Sequence, residues 1–561
     1  MKPYNYFDDE EEQPTLPANY GIYGWNVDIE NSGSVSITQQ NEKSEDVFGI
    51  VSEESSINNS GTVVINGNGS AVYAGGGSLT NSGSITVFGS GYGIYGKGSI
   101  DNSGNIAIHA ENDVAPVYGI YGQNGSVIDN EGQINIASSK AVNTSAVFGI
   151  YGNSAEINNN GSIKIGDGGN LFNAATGIRA DNKNVNNSGT VRIYGAGTAI
   201  SAENGNIVNN SGGSITMVIS GAADSYGIYL AGRGSNTLTN NATVKVNRSS
   251  AYAEGKKAVA LYAENGSINN SGALEVGAKD AVINGGIGIE TDGGNVTNGG
   301  TITVYGNGSA IKAADGSITN NASATVYGNG SVLNGQNGNV TNNEKGQLNI
   351  YTDGKASAYG IYLAGSTGNT ITNKASIFIN RYGAYAQAAS TGNYGIWTDN
   401  AKIVNSGDIS LGSSTAGLSG IYGLYAAGSG SIENSGVINL YGAGTAIYTA
   451  SGTVNNTATS GIINIYTDGS ADSFGIAAGS GNNGLISNSN KISITAQNGN
   501  ASAKKNTGIA ANNIKNSGTV QIGSSIQAID KAIGLDGKSI DNDGEISVSY
   551  THLTLPTTSR V

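Results

Sequence analysis

A chain of 561 residues with 88 Gly, 5 Pro and no Cys is long enough for several domains or for one long repeat array. Its 37% apolar and 12% charged residues give too little charge for a polyelectrolyte-like disordered chain and too little hydrophobicity for a large globular core. The formal charge of −14, with no basic stripe along the chain, sets nucleic acid aside as a partner, and the lack of Cys removes any disulfide framework, thiolate nucleophile or Cys-ligated zinc.

Residues 1–18, "MKPYNYFDDEEEQPTLPA", form an acidic lead that is expected to be disordered. Asp8–Glu12 stands where a signal peptide needs apolar residues, so either the protein stays inside the cell or its true amino terminus lies upstream. No stretch approaches the ~18 consecutive apolar residues of a spanning helix.

From residue 19 to 547 one short phrase recurs. "VYGIYGQNGSVIDNEGQINI" (Val117–Ile136) contains three apolar pulses separated by Gly, Asn and Ser, and an Asn-Ser-Gly corner marks the same place in its relatives at Asn59, Asn81, Asn102, Asn187, Asn270, Asn405, Asn434 and Asn516. Variants such as Asn130-Glu131-Gly132 and Asn542-Asp543-Gly544 fill most gaps, giving roughly 20 units. Markers at 59, 81 and 102 are 22 and 21 residues apart, while those at 102, 130 and 159 are 28 and 29 apart. The extra residues enter before the Gly-Ile-Tyr pulse, so one corner tolerates insertion.

In "SITVFG" Ile85 and Val87 alternate with Ser84 and Thr86, the period of a half-buried strand. Gly and Asn supply the corners because they accept positive φ at low cost. Three short strands per unit of about 22 residues predict an all-β fold, a right-handed parallel β-helix of roughly 20 turns. At about 4.8 Å per turn the rod is near 95 Å long, and recurring Asn at one corner can form a hydrogen-bonded ladder along it. Matching glycines at 119, 227, 360 and 475 are 108, 133 and 115 residues apart, which reads as duplicated blocks of about four turns.

Candidate chemistry within the repeat is thin. His109 lies near Glu111 and Asp113, a pattern able to bind metal or act as a base, yet sister units lack the His and a solvated loop is the simpler reading. Asp353 and Asp468 of two "IYTDG" corners resemble the carboxylates that β-helical lyases use for calcium or glycoside cleavage, but they occupy matching places in duplicated blocks, where a turn role accounts for them. No catalytic residue, metal ligand or cofactor is therefore assigned. Tyr95, Tyr121, Tyr151, Tyr229, Tyr362 and Tyr422 follow the Ile pulse and are expected to point outward if Ile points in. Such a file either stacks on sugars or a partner, or braces the wall.

The tail "VSYTHLTLPTTSRV" (Val548–Val561) drops this rhythm. Residues 548–557 resemble the in-frame translation of a sequencing-library adapter, which makes the tail a non-native segment and places the natural continuation beyond about Ser547.

Taken on its "GIYG…I.NSG.I.I" repeats, the span 19–547 resembles the passenger region of bacterial type V autotransporters. The resemblance implies a non-enzymatic β-helical stalk or adhesin at the cell surface or outside the cell, and an outer-membrane barrel following it in the same chain. It also implies a monomer whose partners are host glycans, matrix proteins or further copies of itself. Alternatives from other classes are a polysaccharide-active β-helix enzyme and a phage tail fibre or spike.

Overall fold

The structure, a computed structural model, describes residues 19–39, 47–110, 116–123, 125–138, 146–232, 234–365, 368–386, 388, 391–457, 460–497, 504–524, 529 and 531–549. The expected lead at residues 1–18 and most of the tail, residues 550–561, lie outside them.

Alternating apolar residues make strands, and Gly, Asn and Ser between them turn the chain by roughly a third of a circuit each time. Every turn therefore contributes one strand to each of three sheets. The first sheet runs from Asn19–Trp25 to Ala532–Asp536, the second from Ile29–Asn31 to Ser539–Asn542, and the third from Ser34–Thr38 to Glu545–Val548. All ladders are parallel, and each strand pairs only with the equivalent strands one turn before and one turn after. Fifty-nine strands make twenty turns, because Thr190–Glu203 runs through a corner and serves both the third and the first sheets. The result is a right-handed parallel β-helix, about 95 Å long at the spacing of parallel strands. Val548 belongs to the last strand of the third sheet, in register with Ile522.

The interior is a bundle of aliphatic columns. In the first sheet Ile94, Ile120, Ile150, Ile178, Ile200 and Ile228 stand one above the next, each fully buried. Burying each such side chain contributes about 1.5–3 kcal/mol, and the contribution comes from nearest turns, so stability accumulates along the axis without a central nucleus.

A second column is polar. Twenty asparagines, from Asn31 through Asn102, Asn209 and Asn342 to Asn542, occupy the last position of every second-sheet strand. Each Nδ2 donates to the Oδ1 of the next turn's Asn at 2.7–2.9 Å, without a break from first turn to last. The main-chain carbonyl of each Asn holds the following corner: Asn81 O accepts from Ser103 N and Gly104 N at 2.9 and 3.0 Å. A primary amide suits this place because it carries a donor and an acceptor on one short side chain. A buried column with both needs met is stable, whereas an unmet one is costly.

The block structure is also present. Gly119, Gly227, Gly360 and Gly475 fall on turns separated by four, five and four. Gly166, Gly277, Gly412 and Gly523, each with φ between 74° and 78°, follow at the same intervals and leave the third sheet by the same left-handed turn. The segments they open, such as 277–285 and 412–420, sit at the corner before the first-sheet strand, the place where the repeat length varies.

Candidate functional site

The outer face of the first sheet carries the candidate residues. Strict alternation does not hold there. In Val147–Asn153 the residues Val147, Gly149, Ile150 and Gly152 are buried, and only Phe148, Tyr151 and Asn153 reach outward. The strand bends at Gly149, where a Cβ would stand 2.5 Å from Gly177 O and 2.5 Å from the Ile163 methyl, so this position accepts only hydrogen. Because Gly and Ile are inward neighbours, two outward aromatics arise three residues apart, and the face bears two parallel files.

One file contains Tyr73, Tyr95, Tyr121 and Tyr151; the other contains Tyr92, Tyr118 and Phe148. Both stop at Thr176 and Arg179 and return at Tyr226 and Tyr229; the Tyr226 file stops again at Val259, the other runs through Tyr262 and stops at Glu290 and Lys312, and both resume at Tyr359 and Tyr362. Of the six tyrosines named from the sequence, Tyr95, Tyr121, Tyr151, Tyr229 and Tyr362 share one file. Tyr422 stands in the other, in register with Tyr394, and Tyr425 occupies the place beside Trp397.

Most successive rings stack on one another, while Tyr121 meets Tyr151 edge on at 70°. Tyr73 and Tyr95 lie 4.8 Å apart at 9°, Tyr92 and Tyr118 4.8 Å apart at 8°, and Tyr362 and Trp397 4.6 Å apart at 5°. Rings of the two files meet edge to face in some turns, as Tyr92 meets Tyr95 at 86°, and nearly parallel in others, as Phe148 meets Tyr151 at 23°. Each such pair contributes about 0.5–1.5 kcal/mol beyond burial. Inside a run the ring faces are covered by the neighbouring turns, so edges and hydroxyls are what the surface presents. Tyr121 retains only 6% exposure.

The runs end in charged groups. Tyr151 donates its hydroxyl to Asp181 at 2.6 Å, and Arg179 bridges Asp181 and Glu203 at 2.9 and 3.4 Å while lying over the Tyr151 ring. Tyr262 donates to Asp292 at 2.6 Å, and Glu290, its side chain 2% exposed, sits between Lys257 and Lys312 at 3.2 and 2.8 Å. These carboxylates are occupied by neighbours of the same face.

Burial lifts the phenols of Tyr73 and Tyr226 to about 12, helped by Glu53 and by Asp224 respectively. Tyr95, Tyr151, Tyr229 and Tyr394 are pushed higher still, burial again leading. A folded-state pKa above the unfolded value near 10 gives stability that is fully present below pH 10 and lost as pH rises through the folded pKa. Alkaline titration should therefore show the phenolate absorbance of these stacked tyrosines only near pH 12 and above, together with loss of the β circular-dichroism signal.

The remaining candidates have local roles. His109 stacks on Phe88 at 4.7 Å, and Glu111 and Asp113 lie outside the described residues. Asp468 accepts the amide of Ser470, and Asp353 that of Lys355, both at 3.0 Å. Asp167 accepts Gly169 N and Asn170 N at 2.8 Å, and these two bonds hold its carboxyl below the usual range. Among the described residues no three His, Asp or Glu side chains group closely enough to hold a metal ion. No protein-family model, curated protein or solved structure matches this chain.

Proposed function

We propose that the chain is the non-enzymatic stalk of a surface-displayed adhesin, exported and carried outside the cell in the manner of an autotransporter passenger. The observation that supports this reading most is the unbroken Asn ladder through all twenty turns. Each turn is completed by its neighbours alone, so turns can be added, or can fold one after another as they emerge, without waiting for a distant part of the chain. Length and lateral surface are then the product, and adhesion runs through hydroxyls, amides and corner segments, since the ring faces are covered by their own files.

Purified chain coupled to beads tests the reading against host cells, immobilised glycans, matrix proteins and beads bearing the same chain. Retention on any of these, with monomeric light scattering, supports the stalk. Release of reducing ends from polysaccharide would replace it with an enzyme, and a stable trimer would replace it with a fibre.

A further inference from the structure

A separate set of tyrosines lies on the outer side of the third sheet. Tyr305, Tyr327 and Tyr351 stand in register at or next to the ends of three consecutive strands. Their rings stack at 4.9 and 4.8 Å with interplanar angles of 7° and 8°, and Tyr382 leans on Tyr327 at 5.8 Å and 59°. All three stacked residues are half-exposed. This group differs from the first-sheet files in its surroundings. Those rings stand in two files packed against each other, as Tyr92 on Tyr95 and Tyr359 on Tyr362, and some are held by donation of their hydroxyls, as Tyr95 to Gln123, Tyr151 to Asp181 and Tyr262 to Asp292, whereas Tyr305, Tyr327 and Tyr351 form a single file and, among the described residues, no hydrogen bond holds their hydroxyls. The pair of the same position further along, Tyr441 and Tyr466, lies on the two turns spanned by a bond from Gln497 Nε2 to Ser414 O at 2.9 Å. The turns of Tyr305, Tyr327 and Tyr351 are likewise tied, by Asn329 Nδ2 donating to Asn307 Oδ1 at 3.2 Å and to Asp353 Oδ1 at 2.6 Å.

We propose that Tyr305, Tyr327 and Tyr351 form a covalent modification site, at which a one-electron oxidant of the haem peroxidase and hydrogen peroxide class joins adjacent turns through dityrosine. Each of two neighbouring phenols gives up one electron and its hydroxyl proton. The two phenoxyl radicals join through ortho carbons, and each ring hydrogen at the new bond moves to the oxygen as aromaticity returns. Hydrogen peroxide takes the two electrons and two protons and becomes two waters. Radical coupling needs the partner close by before either radical is quenched, and parallel register supplies that partner on every turn. A bond from Tyr327 to Tyr305 or Tyr351 closes a single turn into a covalent loop, restraining the unfolded chain as a disulfide does, in a chain that has no Cys. The proposal stands apart from adhesion and holds whatever the rod binds.

The test is oxidation of the dilute full chain with a haem peroxidase and hydrogen peroxide, followed by dityrosine fluorescence, sizing and mass spectrometry of linked peptides. The expected result is a monomer that has lost two hydrogens per bond, with Tyr327 linked to Tyr305 or Tyr351 at several-fold higher yield than other tyrosine pairs. Tyr327→Phe keeps the stacked ring and should abolish both bonds, while Tyr351→Phe should leave the Tyr305 bond. Equal yields across the 29 tyrosines, bonds only between chains, the same yield from denaturant-unfolded chain, or no dityrosine would each overturn the proposal.

Discussion

Replacing Asn240 by Leu should destabilise the surrounding turns by roughly 3–5 kcal/mol. Asn240 Oδ1 accepts from Asn209 at 2.7 Å, and its Nδ2 donates to Asn270 Oδ1 at 2.8 Å and to Ala242 O at 2.9 Å. All of these groups are shut away from water, so leucine would leave one donor and two acceptors without partners. Asn240→Asp removes the two donations and adds a buried negative charge, and should do no better. The damage should be local, since turns far along the axis exchange no contacts with this one. Hydrogen exchange should therefore accelerate in the strands around Thr237–Asn240 and leave Ile463–Thr467 unchanged, and urea unfolding should split into two steps. Asn269→Ala, one place from ladder residue Asn270 and exposed, should change stability by less than about 0.5 kcal/mol.

Gly149→Val should cost about 3 kcal/mol or more, for a steric reason. The added Cβ would meet a main-chain oxygen, Gly177 O, which the first-sheet ladder holds in place, and the Ile163 methyl on the far side of a core that has no slack. Relief requires the strand to straighten, which would turn either Ile150 out of the core or Tyr151 out of its stack. Gly168→Ala offers the comparison. It has open space around the new atom and no left-handed φ, and its thermal midpoint should stay within a degree or two of the parent protein. A similar loss at both glycines would mean that the bend is not what the first glycine provides.

How legible this architecture was in the sequence differs from feature to feature. The three pulses, the insertion corner, the Asn column and the block interval were all visible, because each rests on recurrence and a β-helix converts recurrence directly into register. The ladder reaches places where the Asn-Ser-Gly marker had decayed, as at Asn342 in "TNNEKG" and Asn488 in "SNSNK", because the first Asn alone carries the ladder. The second aromatic file was missed. Period-two alternation put Gly119 on the side of Tyr121, whereas the structure puts Gly119 inside with Ile120. A main-chain bend that only Gly permits shifts the phase by one residue, and the visible trace of that shift was the repeated Tyr-x-x-Tyr spacing of Tyr92–Tyr95, Tyr118–Tyr121 and Tyr359–Tyr362. Tyr422 falls in a different file from the five tyrosines grouped with it because its "GIYG" string, Gly420–Gly423, sits three residues early on its strand: Gly423 is the inward glycine there, and Tyr425 is the counterpart of Tyr121. Covering of ring faces could not be read from sequence at all, since it depends on rotamers that the stacked turns impose on each other.

Along this chain, sequence distance becomes axial distance at one turn per repeat. A chain without Cys allows paired spin labels at the outward, exposed second-sheet positions 129, 297 and 455. Asp129→Cys with Thr297→Cys spans six turns, and Asp129→Cys with Asn455→Cys spans twelve, for expected separations of about 29 and 58 Å. Distances in that two-to-one ratio would establish the stack. Two similar distances, or a longer pair that falls short of the shorter one, would contradict it.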